Sequence, residues 1–108
     1  MNFKMWLEER QKGRPLSEAD PRYAHRNAQV AIYRACLATD AGFKSMDYVT
    51  LSYKFAIDHA KHVQAIEEEP AHVLRARVPA TMVFEAYNPG EFFYDGPNVV
   101  GQPTYRTK

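Results

Sequence analysis

His59 and His62 stand three residues apart, and His62 follows Asp58 by four, which places all three along one edge of a helix. Paired imidazoles on a helix edge are the beginning of a zinc or di-metal site, because each neutral ring offers a nitrogen ligand. Such a site needs more ligands, and the nearby candidates, Glu67 and Glu68, lie further along the same segment. The expectation is no metal and no cofactor, with Asp58 and His62 forming a surface pair worth about 0.3 kcal/mol.

Cys36 falls among alanines, without the helix N-terminus or basic neighbour that would lower its pKa and make it a nucleophile. No Gly-rich phosphate loop, HExxH, CxxC or nucleophile elbow occurs. No catalytic residue is assigned, and the chain is not expected to be an enzyme.

Arg22, Arg26, Arg75 and Arg77 lie near tyrosines, a combination that can hold phosphates and stack bases. Against this stand the run Glu67–Glu69 and a formal charge of only +1, which gives no long-range field toward a polyanion.

These residues have to be positioned by elements, and the segment 45–69 dominates the pattern. At about 100° per residue, Val49, Tyr53, Ala56, Ile57, Ala60 and Val63 make one apolar helical face. Tyr48, Leu51, Phe55 and Ile66 make a second face nearly opposite, so a helix covered from both sides is expected. Upstream, Ala24, Ala28, Ala31, Ala35 and Ala38 recur at spacings of 4, 3, 4 and 3 in a segment opened by Asp20-Pro21. They read as a small-residue seam on a helix reaching about Thr39, against which another helix, in the same chain or a second copy, can pack closely. The break Asp40–Lys44, with Gly42 as a C-cap, would make the two long helices an antiparallel hairpin.

Asn2 to Lys12 reads as a short amphipathic helix carrying Phe3, Trp6 and Leu7 and ended by Gly13. A break is expected near Pro70. The stretch 71–87 alternates like a strand at first and then shows helix signals at Pro79 and Asn88; the helical reading is preferred because the alternating run is short. From Pro89 onward proline and glycine are too dense for a helix, yet Phe92, Phe93, Tyr94 and Tyr105 give this arm apolar bulk.

The expected fold is all-α: an antiparallel two-helix hairpin, a short N-terminal helix, one or two short C-terminal helices and an irregular extended arm. Residues 1–88 form the helical domain and 89–108 the arm. One cysteine permits no internal disulfide, no apolar run approaches the ~20 residues of a membrane span, and the N-terminus is charged too early for a signal peptide. A cytoplasmic protein is therefore expected.

The leading functional expectation is non-catalytic protein–protein interaction, as an adaptor, an inhibitor of a host protein or an assembly subunit. It would self-associate through helix faces, with Phe92, Phe93, Tyr94, Tyr105, Ala24, Ala28, Ala31 and Ala35 as contact residues. Chains of this size without a catalytic signature are common among phage accessory proteins. The alternatives are a helical regulator binding nucleic acid or a nucleotide through Arg22, Arg26, Arg75 and Arg77, and a metal-dependent enzyme around His59 and His62.

Overall fold

Alternation, rather than helical spacing, decides the structure of the first half. In Gln29–Leu37, the sequence QVAIYRACL buries Val30, Ile32 and Cys36 on one side of a strand, β1. The alanines at helical spacing overlie a period-two pattern of Val, Ile and Tyr, residues that favour a pleated, half-buried surface. The pairing partner settles the contest: β4, Ala71–Pro79, runs antiparallel to β1 from Gln29 opposite Pro79 to Leu37 opposite Ala71.

The computed structural model describes residues 12–108. Besides β1 and β4, the strands are β2 (Gly42–Phe43), β3 (Asp47–Val49), β5 (Val83–Glu85), β6 (Phe92–Tyr94), β7 (Val99–Val100) and β8 (Gln102–Arg106). They form antiparallel sheets in the orders β1-β4-β8, β3-β6-β5 and β2-β7. Among the described residues two α-helices accompany them, the single turn α1 (Leu16–Ala19) and the long α2 (Tyr53–Glu67). The all-α expectation is thus corrected: the protein is mostly β, and the two-helix hairpin does not exist. Among the described residues no helix is long and apolar enough to cross a membrane.

The β1-β4-β8 sheet is the middle layer. Odd positions face α2, where Ala56 and Ala60 of the helix bury against Ala71 and Val73, flanked by Tyr33, Ala35 and Tyr105. Even positions face the other way. Val30, Ile32, Leu74 and Val78 meet Phe43, Val49, Val83 and Tyr94 from the smaller sheets, and Leu16 of α1 joins the same core. Alanine at 56 and 60 lets the helix lie close on the sheet, so small residues do set a close approach, though not between helices.

Several expectations move with this correction. Asp20 and Pro21 do start a helical piece, but only the 3-10 turn Pro21–Tyr23. The long helix begins at Tyr53 rather than Ser45, with the Ser52 side chain accepting from the Phe55 amide at 3.2 Å. Tyr48 belongs to β3 and Leu51 lies outside the helix, so two of the four residues of the second apolar face are not helical, and Val49 of the first face is likewise in β3. What remains of that face is bare, with Phe55 52% and Ile66 64% exposed. The chain breaks at Pro70 but into a strand, and 71–87 holds β4, a 3-10 turn and β5 in place of a helix.

The supposed irregular arm supplies β6, β7 and β8. Each pairs with a strand formed before residue 89. The expected helix over Asn2–Lys12, with Phe3, Trp6 and Leu7, lies almost wholly outside the described residues.

Candidate functional site

Beyond the buried core, β1 and β3 are joined by one isolated bridge. The Tyr33 amide donates to the Thr50 carbonyl at 2.9 Å, and the Thr50 amide to the Tyr33 carbonyl at 3.0 Å. From there the strands part, because β1 continues in the helix-backed sheet while β3 turns to pair with β6. A cleft of about 290 Å³ opens at the parting, roofed by Phe55, Ala56 and His59 of α2. Backbone groups alternate along an antiparallel strand. Tyr33 turns its amide and carbonyl toward β3, so Ala35, two residues on, also directs its pair off the edge, where it lines the cleft.

Arg34 is the cationic group of this cleft. Its Nη1 donates to the Gly42 carbonyl at 3.0 Å, while Nη2 and Nε lie 3.7 and 3.6 Å from the carboxylates of Asp40 and Asp47. A guanidinium has five N–H donors, and among the described residues one is committed to a hydrogen bond. The side chain is 24% exposed, so it is held in place yet reachable. Asp47 is itself fixed by the Lys44 amide at 2.8 Å. Glu91 stands at the mouth, its Oε2 accepting from Asn88 Nδ2 at 3.3 Å.

The walls are aromatic. Tyr48 stacks at 4.5 Å on Phe93, which lies fully in the core, and Phe55 meets His59 edge-on at 6.2 Å. Tyr33 is backed by Tyr53 at 5.2 Å. A flat ligand would find π-faces, a backbone edge to read, one partly free guanidinium and two carboxylates. Small-molecule sites combine apolar walls and a few convergent polar groups in this way.

Comparison with protein-family models, with curated proteins and with solved structures gives no match.

The structure scatters most of the residues singled out in the sequence. His59 lines the cleft, whereas His62 is exposed elsewhere on α2. Among the described residues no group of three or more His, Cys, Asp or Glu could hold a metal ion. Cys36 is buried in β1, and that burial, reinforced by Asp40 and Asp47 against the opposing pull of Arg34, pushes its thiol up to about 11. Arg22 forms an ion pair with Asp20 at 2.7 Å, Arg26 is in an exposed turn, and Arg75 and Arg77 share the helix side of β4.

The alanine seam dissolves into separate environments. Ala24 is exposed after the 3-10 turn, Ala28 is buried, and Ala31 and Ala35 lie along β1. Phe93 and Tyr94 are buried within their own chain, Phe92 packs partly against the core, and Tyr105 packs under α2.

Sequence reasoning missed Arg34, Asp47, Tyr48 and Glu91. The available signal was parity: in QVAIYRACL, Arg34 occupies the same side of the strand as Val30, Ile32 and Cys36. A charge on the inward side of a strand needs a reason, and the reason here is the cleft.

Proposed function

We propose that the protein binds a small ligand carrying a flat ring and an anionic group, by chemical class a nucleotide, in the cleft between β1 and β3. The observation that carries this reading is the partly uncommitted guanidinium of Arg34 beside the aromatic walls of Tyr33, Tyr48 and Phe55. Arginine takes phosphate oxygens in a forked geometry. The ring would lie against the aromatic faces with its polar edge toward the Ala35 backbone. Asp47 and Glu91 make the cleft more receptive to a ring bearing positive charge.

Calorimetry with adenosine, an adenine mononucleotide, an adenine dinucleotide and a nicotinamide dinucleotide tests this. The phosphorylated compounds should bind and adenosine should bind far more weakly. Arg34→Ala should weaken the phosphorylated ligands roughly 10- to 100-fold, the worth of a charge-assisted hydrogen bond. Equal binding of adenosine and its phosphate, or indifference to Arg34→Ala in a folded variant, would refute the reading.

Protein–protein interaction keeps one specific support, the exposed Phe55 and Ile66 on α2. In this second reading α2 presents those side chains to a partner or a second copy. Sedimentation of wild type against Ile66→Lys tests it, with a concentration-dependent mass that the variant abolishes as the supporting result. The cleft reading takes precedence because Phe55 already belongs to the cleft.

A further inference from the structure

Among the described residues, the helix side of the middle sheet is only partly covered. Helix α2 meets the sheet from Tyr53 onward, where the Tyr53 ring rests on Tyr33 and its hydroxyl donates to the Thr104 carbonyl at 3.0 Å. Under the helix, β4 buries Ala71 and Val73. The same side of the strand then continues past the helix end with Arg75 and Arg77, placed opposite Tyr33 and Ala31 of β1. Gln102 of β8 stands across from Arg75 on the other flank.

Neither arginine has an ion pair or hydrogen bond among the described residues, whereas Arg14, Arg22 and Arg34 each do. The strand neighbours on this side, Ala31, Tyr33 and Gln102, carry no acid. Two positions apart on one strand, the guanidiniums project in the same direction from points about 6.6 Å apart. Two uncompensated cations on an open sheet face, bordered by Tyr33 and the 37% exposed Tyr53, make an electropositive strip with rings at its margin.

We propose that this strip is a second binding site, distinct from the cleft, which takes the backbone of single-stranded nucleic acid. Arg75 and Arg77 contact successive phosphates, and Tyr53 offers a face to a base. Aromatic rings beside a basic track favour a nucleic acid strand over an acidic peptide, since bases stack on such rings and carboxylates do not. The site is narrower than the four arginines considered from sequence. Arg22 is occupied by Asp20, and Arg26 lies in the turn before β1.

Fluorescence anisotropy with a labelled oligothymidylate tests the proposal on the full chain. Two phosphates neutralised on a single strand give a salt slope of about −1.4, so binding should weaken about sevenfold between 50 and 200 mM salt. Arg75→Ala/Arg77→Ala should abolish both the binding and the salt dependence, with an unchanged circular dichroism spectrum. Arg75→Lys/Arg77→Lys should retain most of it, which guards against misreading a folding defect. Arg22→Ala/Arg26→Ala should change affinity by less than about twofold. The proposal is overturned by absence of wild-type binding at 50 mM salt, by an equal loss in the Arg22/Arg26 variant, or by polyglutamate competing as well as the oligonucleotide.

Discussion

Arg34 shows what a single residue reveals when its place in a strand is known. It shares a side with Val30, Ile32 and Cys36, yet its guanidinium escapes burial because Gly42, Asp40 and Asp47 draw it to the rim. Asp95 is held in a related way across the smaller sheet. Lys12 bonds to it, Ser45 Oγ donates to it at 2.5 Å, and these two contacts, in that order, pull its carboxyl below the ordinary 3.8. A folded pKa below the unfolded one makes the contribution to stability complete above about 3.8, and lost as pH falls through the lower folded value. Asp95→Asn should therefore be less stable than wild type at pH 7, by about 0.5–1 kcal/mol for a partly exposed pair. Urea melts at pH 7 and at pH 2.5 should show that difference shrinking in acid.

At the scale of elements, the instructive comparison is between Gln29–Leu37 and Tyr53–Glu67. Both contain alanines at helical spacing, and only the second is a helix. In the second, the polar residues Lys54, Asp58 and Lys61 also repeat at helical spacing, and Ser52 supplies a cap. In the first, Val30, Ile32 and Tyr33 favour an extended chain, and β4 offers a matching alternation forty residues away. That partner is a non-local fact, so the choice could not be made within the segment. The end of α2 and the break at Pro70 were legible because local groups set them. Pairing of β6, β7 and β8 was not, since short strands rich in Pro and Gly announce turns more clearly than partners.

One crossing between layers carries an element-scale prediction. The chain passes from β7 to β8 at Gly101, where an added Cβ would stand 2.8 Å from Leu74 Cβ and 3.0 Å from Phe43 Cε2. Both neighbours are fully buried and cannot yield. Gly101→Ala should cost about 1–3 kcal/mol by crowding the core, read as a lower urea midpoint with an unchanged slope.

Across the whole molecule, the cleft exists because one bridge holds two sheets at a point while the shared core holds them at a distance. Its three charged groups are not neighbours in a motif: Arg34, Asp47 and Glu91 come from three separate strands or loops. Composition and spacing could say that the chain lacks familiar catalytic signatures, but they could not say which side chains the fold gathers. Tyr33 is common to the cleft and to the rim of the basic strip, so the two proposed sites adjoin without sharing a charged group.

The fastening at Tyr33 and Thr50 has one more consequence. Two amide protons clasp this margin, and each can be followed by deuterium exchange as a gauge of how often the margin springs apart. An occupant wedged between the layers should slow exchange at both amides together. Protons in the paired interior of β1, such as that of Ile32, should keep their pace. Should Tyr33 and Thr50 exchange no more slowly with the cleft filled, the parting of the strands is not where the molecule takes its guest.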